Sequence, residues 1–196
     1  MLGAALAVFG RDGFAAANVD EIARHAGVAK PTLYNRFGDK RRLFIEAMRF
    51  GMMTANERVL NAIFELDLSP TDLHASLKRL GLALVRCVTT DEGAAVIRLQ
   101  IAEHGQFPEI DGLHHRERHL EALAGKLAQL MGQGVLRFSD PQMAARHFFA
   151  LATTEPLIQS GHGSRTLPTD DAERLVEAGV DTFLAAFRPR IDQPSR

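Results

Sequence analysis

The chain has 196 residues, 46% hydrophobic and 24% charged, with a formal net charge of −1. This composition excludes a disordered or collagen-like chain. A single cysteine, Cys87, excludes an intramolecular disulfide framework and a cysteine-built zinc site, consistent with a reducing cytoplasm. The length fits a small domain joined to a larger one. The charge is uneven: residues 1–50 hold eight Lys or Arg against five Asp or Glu, a balance of +3, and the rest stands at −4. A basic end on an acidic body is a local electrostatic footprint for a nucleic acid. No apolar run reaches the roughly 18 residues of a membrane span, so no membrane partner is expected. The apolar N-terminus lacks a basic flank and reads as an amphipathic helix, not a signal peptide.

Helical spacing dominates and β-branched residues rarely alternate with polar ones, so the chain reads as all-α. The first helix is expected from about Leu2 to Asp12, with Leu2, Leu6 and Phe9 on one face and Gly13 as its stop. Asn18, with Glu21 three residues on, resembles a capping box opening a short helix to about His25, whose apolar face carries Val19, Ile22 and Ala23. Gly27 ends it. Lys30 and Pro31 open a third short helix to Phe37, and Gly38 and Asp39 close that helix and cap the next. A long helix is expected from Lys40 to about Leu66, carrying Leu43, Phe44, Ala47, Phe50 and Met53. Ser69 and Pro70 read as an N-cap and first turn, and further helices are expected at 70–89, 92–104, 111–133, 139–159 and 170–187. The tail from Pro189 reads as frayed.

Two short helices joined by a tight glycine-containing turn, at 19–25 and 30–37, form a helix-turn-helix pattern, which seats its second helix in the DNA major groove. That helix has suitable chemistry. Lys30 can reach a phosphate or a guanine, Thr32 offers a methyl and a hydroxyl, and Tyr34 and Asn35 offer hydrogen-bonding tips. Val28, Leu33 and Phe37 can anchor it to the small core. Lys40, at the next helix start, can meet a phosphate with the backbone N–H groups. Arg24, Arg36, Arg41 and Arg42 read equally well as solvated surface.

The string Val19-Asp20-Glu21-Ile22-Ala23, Ala26-Gly27-Val28-Ala29, Thr32-Leu33-Tyr34, Phe37 and Lys40, then Leu43-Phe44, closely resembles the tetracycline-repressor (TetR) family. The resemblance covers about residues 2–48. It implies an all-helical, homodimeric transcriptional regulator, usually a repressor, whose small domain binds a palindromic operator in double-stranded DNA and whose larger domain dimerises and binds a small-molecule inducer. Carried over by position, Lys30, Pro31, Thr32, Tyr34 and Asn35 fall on the recognition helix, and Asn18 and Lys40 on phosphate-contacting positions. Asn18 stands where Thr or Ser is commoner in the family. The family usually has residues, often basic, before the first helix, whereas here Met1 already stands beside it. The expected division is 1–48 for DNA binding, 49–188 for effector binding and dimerisation, and 189–196 as a tail.

In the C-terminal part, Glu177 to Phe187 is similar to the last helix of the AefR-like subgroup. Two stripes run at helical spacing: Ala144, Ala145, Phe148, Leu151 and Ala152, and Val176, Val180, Phe183, Leu184 and Phe187. They are expected to pair with their copies in a four-helix dimer interface, the alternative being a core within one chain. An effector pocket would be largely apolar. Phe64, Leu84, Cys87, Val88, Leu99, Phe107, Leu123, Leu127 and Phe148 could line it, with Arg98, Gln100 and His104 as polar contacts, although each also suits ordinary packing or exposure. His115 and His119, four apart beside His114 and Glu117, have metal-compatible spacing. No third ligand follows, and the run reads as a solvated face, so no metal or other cofactor is expected. No glycine-rich phosphate loop or nucleophile elbow is present, so an enzyme is not expected. The competing reading is a helical protein-interaction adaptor whose DNA binding has lapsed.

Overall fold

The computed structural model describes residues 1–110 and 113–189, the side chains of Pro70, Leu113 and His114 excepted. The side chain of His114, beside the metal-compatible pair His115 and His119, and residues 190–196 of the expected tail therefore lie outside the description. Among the described residues there are nine α-helices and no strand: α1 (Leu2–Ala16), α2 (Val19–His25), α3 (Lys30–Phe37), α4 (Lys40–Phe64), α5 (Leu73–Thr89), α6 (Asp91–Glu103), α7 (Leu113–Gly132), α8 (Pro141–Gln159) and α9 (Thr169–Phe187). Short 3-10 turns lie at Pro70–Asp72 and Pro108–Ile110. The expected first turn of α5 is thus 3-10. Ser69 makes no side-chain cap there; its hydroxyl meets Thr71 Oγ1 at 2.9 Å. Gly13 does interrupt α1, with φ +75° and ψ 172°, and a last turn follows it to Ala16.

The chain divides into two compact units. The first holds Met1–Arg58, Cys87–Arg116 and Ser160–Thr166. Its core joins α1–α4 to α6. Phe9, Phe14, Phe44 and Phe107 cluster with ring centroids 4.5–6.2 Å apart, mostly edge-on or tilted, as ring quadrupoles favour. Helices α1 and α6 approach closely because small residues meet: a Cβ on Gly10 would stand 2.5 Å from that of Ala95. Leu43, Phe44 and Ala47 of α4 are buried, whereas Phe50 and Met53 farther along it are 41% and 58% exposed.

The second unit holds Val59–Arg86, Glu117–Gln159 and, among the described residues, 167–189. Its closest pairing is α8 against α9. Gly179 makes this possible, since any Cβ there would strike the Leu151 carbonyl. Phe148 and Phe183 meet edge to face at 5.3 Å. This pairing corrects the expectation for the two stripes. Ala144, Ala145, Phe148, Ala152, Val176, Val180, Phe183 and Leu184 are all at most 3% exposed within one chain, and Leu151 and Phe187 are half-buried. The stripes largely bury each other, so among these residues only Leu151 and Phe187 keep surface that a second copy could cover.

Candidate nucleic-acid interface

The turn between α2 and α3 is built by backbone hydrogen bonds. Gly27 takes φ +65°, a conformation that costs an L-residue with a Cβ, and its N–H donates to the Arg24 carbonyl at 3.2 Å. The Val28 N–H reaches the Ala23 carbonyl at 3.1 Å. Together these bonds form a Schellman closure of α2. Three residues later Pro31 sits in the first turn of α3, and Gly38, at φ +86°, stops that helix as its N–H donates to the Tyr34 carbonyl at 2.7 Å. Asp39 Oδ1 then accepts from the Arg42 N–H at 2.8 Å and caps α4.

Helix α3 buries one side chain, Leu33, at 1% exposure, with Val28 and Phe37 packed at the edge of the same core. Eight residues with one buried anchor leave the opposite face to solvent. Lys30, Pro31, Thr32, Tyr34 and Asn35 are all exposed, Tyr34 by 38%. Five of the expected DNA-contacting residues therefore share this short helix.

Asn18 caps α2, but not as a capping box. Its Oδ1 accepts from the Asp20 N–H at 2.8 Å, and the Glu21 carboxylate is drawn away to Arg11 at 2.7 Å. Arg11 also binds its neighbour Asp12 at 2.6 Å, and its pair with Glu21 ties α1 to α2. Its hydrogen bonds hold both carboxyls below their usual range. A contact ten residues apart and between two helices has no local sequence signal, and sequence reasoning missed it.

Lys30 Nζ lies 2.9 Å from Asp20, whose hydrogen bond raises the ammonium's pKa. Both groups are exposed, so solvent screens the pair and a phosphate can compete for the lysine. Lys40 is half-buried. Its Nζ donates to the Ala15 carbonyl at 3.0 Å and rests 5.1 Å over the Phe14 ring. Arg41 is more than solvated surface: it binds Glu109 at 2.6 Å and lies 4.7 Å over the Phe107 ring, pulling that carboxyl's pKa down.

The residues expected around an effector fall in both units. Leu99 and Phe107 belong to the first unit's core. Arg98 donates to the Gly163 carbonyl at 2.8 Å, and Gln100 to the Ile110 carbonyl at 3.2 Å, so both are engaged by backbone. Cys87 is buried, Val88 half-buried and His104 exposed. Leu84, Leu123, Leu127 and Phe148 are buried in the second unit. Phe64 corrects its expectation: at the last turn of α4 it is 60% exposed, while Lys126 Nζ donates to its carbonyl at 2.9 Å. Among the described residues no group of three His, Cys, Asp or Glu is placed to hold a metal, and no helix is long and apolar enough to cross a membrane.

Two family models match in chain order. Residues 1–47 match bacterial regulatory proteins of the tetR family, and residues 75–189 match the C-terminal domain of AefR-like transcriptional repressors. The HTH-type transcriptional regulator YezE of Bacillus subtilis (strain 168) is 24% identical over 136 residues, 69% of this chain. That match spans 66% of the relative, just under two thirds of its length. A TetR-family transcriptional regulator from Mesorhizobium loti is similar in structure, with a TM-score of 0.82 and 27% identity over 96% of this chain and 95% of that one. AibR, solved in complex with isovaleryl coenzyme A and operator DNA, shares the fold at 20% identity, with a TM-score of 0.60 over 92% of this chain and 94% of its own. With a solvent-facing recognition helix and both halves matched in order, this chain belongs to the TetR family of DNA-binding transcriptional regulators, with an AefR-like C-terminal domain.

Proposed function

We propose that the chain is a ligand-responsive repressor that grips a palindromic operator as a homodimer and releases it when a small-molecule effector binds. The observation that carries this reading is α3 itself: a helix anchored by Leu33 that offers Thr32, Tyr34 and Asn35 to solvent beside Lys30. Thr32 and Tyr34 read base edges in the major groove, while Lys30, Lys40 and Asn18 hold the backbone. Residues 1–48 do this work, and 49–188 bind the effector and dimerise. The protein acts in the cytoplasm and by binding, without catalysing a reaction.

With the α8 and α9 stripes buried in one chain, the dimer uses the opposite faces of those helices. On α8 these carry Met143, 47% exposed, His147, Ala150, Thr154 and Ile158, 53% exposed, at helical spacing. On α9 they carry Ala178, Thr182, Ala185 and Ala186, small residues that allow close approach. The effector enters among α5, α7 and α8, where Leu84, Leu123, Leu127 and Phe148 supply apolar surface. The structure of AibR with an acyl coenzyme A and operator DNA supports both binding roles for this fold. Helix α4 runs unbroken from Lys40, beside the recognition helix, to Phe64. Effector contacts that favour one tilt of α4 change the spacing of the two recognition helices in the dimer.

Selecting fragments of its own genome on the immobilised protein tests this. The expected result is enrichment of a palindrome whose half-sites lie about 34–36 Å apart, or a multiple of it, with affinity falling steeply with salt. Recovery of genomic DNA no better than random fragments would contradict it and favour the adaptor reading.

A further inference from the structure

An open groove of about 590 Å³ lies on the first unit where α3 ends and α4 begins. Its apolar lining is Leu2, Phe37 and Ile45, and its charged lining is Arg36, Arg42, Arg49 and one carboxylate, Glu46. The arginines are not equivalent. Arg49 is tied to Glu46 at 2.9 Å. Among the described residues no ion pair closes on Arg36 or Arg42. In the same unit Arg11, Lys30, Arg41 and Arg58 each meet a carboxylate at 2.6–2.9 Å. Two exposed guanidinium groups therefore converge on one groove with no carboxylate paired to either, the groove's own carboxylate, Glu46, being engaged by Arg49.

Both are also held in place. Arg36 lies 5.5 Å over the Phe37 ring, which orients the guanidinium and leaves its in-plane N–H groups available. Arg42 lies against Gly38: a Cβ built there would stand 3.6 Å from its Cδ and Nη1, in ordinary contact. Arg36 follows Thr32 by four residues and shares its side of α3. The groove thus continues the reading face past the end of the recognition helix. An anion flanked by an apolar group matches it: phosphate oxygens for the guanidinium forks, and a sugar face for Leu2 and Phe37.

We propose that this groove seats one deoxyribose-phosphate unit of the operator backbone, held by Arg42 and Arg36, so that the DNA footprint extends beyond α3 and Lys40. The inference rests on the DNA-reading role proposed above. The duplex recovered by genomic selection is titrated against the full-length protein, Arg36→Ala, Arg42→Ala, the double variant and Arg42→Lys, at several salt concentrations. Each alanine variant is expected to weaken binding about tenfold. The double variant, which leaves that one phosphate unneutralised, should make the log–log salt slope shallower by about 0.9, and each single variant by less, with base preference unchanged. Arg42→Lys should keep the slope. Operators carrying one neutral methylphosphonate, scanned along each half-site, supply a readout independent of folding. Wild type should lose affinity at one position where the double variant is indifferent.

Unchanged affinity and slope, with wild type still selecting its operator, would overturn the groove assignment and leave the DNA-reading role standing. Altered base preference would also overturn it, because a phosphate contact carries no direct base information. If wild type prefers no sequence and resists no salt, both readings fall together.

Discussion

Helix α3 and the α8–α9 pair carry the same kind of sequence signal, apolar residues at helical spacing with polar ones between. They resolve in opposite directions. Helix α3 has eight residues and one fully buried side chain, so its polar face has nowhere to go but solvent. Helices α8 and α9 have 19 residues each and enough apolar surface to satisfy one another. A stripe identifies which face is buried and does not identify what buries it. The polar residues of a short helix with one buried anchor carry more functional information than the longest apolar stripe in the chain.

The sharpest way to break this contrast is Phe148→Ala. As a residue at 0% exposure between α8 and α9, it should cost about 3–5 kcal/mol of the chain's own stability, read by chemical denaturation over a range of protein concentrations. A variant that dissociates into subunits of undiminished stability would return the stripe to the dimer interface.

Gly27→Ala comes next. Nothing lies within 4 Å of a Cβ built there, so the cost is backbone strain at φ +65°, about 1–2 kcal/mol. Gly27→Asn should recover part of it, because asparagine tolerates that region. Equal stability of all three proteins would mean that the turn between α2 and α3 is not held in this conformation. Asn18→Ala removes a side-chain cap at 2.8 Å and should cost about 1 kcal/mol in the same assay. Asn18→Asp should restore it.

The smallest effect is pH-dependent. Arg11 holds the Asp12 and Glu21 carboxyls below their ordinary values of 3.8 and 4.5. A depressed carboxylate contributes stability that is full above its ordinary pKa and is lost as pH falls through the lowered one. Wild type should therefore melt above Arg11→Ala at neutral pH, with the gap closing as pH drops below about 4. A gap that widens in acid would contradict the α1–α2 tie.

Much of the geometry of α3 was legible in the sequence because its determinants are local. Gly27, Pro31 and Gly38 punctuate the chain, and α3 begins and ends at Lys30 and Phe37 as their spacing predicts. Contacts between distant segments left no such mark. Glu21 fits a capping box by spacing, yet Arg11 on another helix claims its carboxylate. Leu99 and Phe107 look like lining for a C-terminal cavity, yet close packing of small residues along α1 and α6 draws them into the core that also holds Leu33 of α3. Phe64 follows the apolar pattern of α4 and still ends in solvent, because position along the helix, not hydrophobicity, decides whether another element covers it. Arg36 and Arg42 look like ordinary surface charge until the ion pairs around them are seen to leave both without a carboxylate.

The most direct test is a titration of wild type, Thr32→Ala and Tyr34→Ala against the selected operator and versions with single base-pair substitutions in one half-site. Both side chains are exposed, so melting should be unchanged. Each variant should lose about 1–3 kcal/mol on the native site and become indifferent to the base pair its side chain reads. If both variants match wild type in affinity and in base preference, α3 does not read DNA and the proposed role of this chain is wrong.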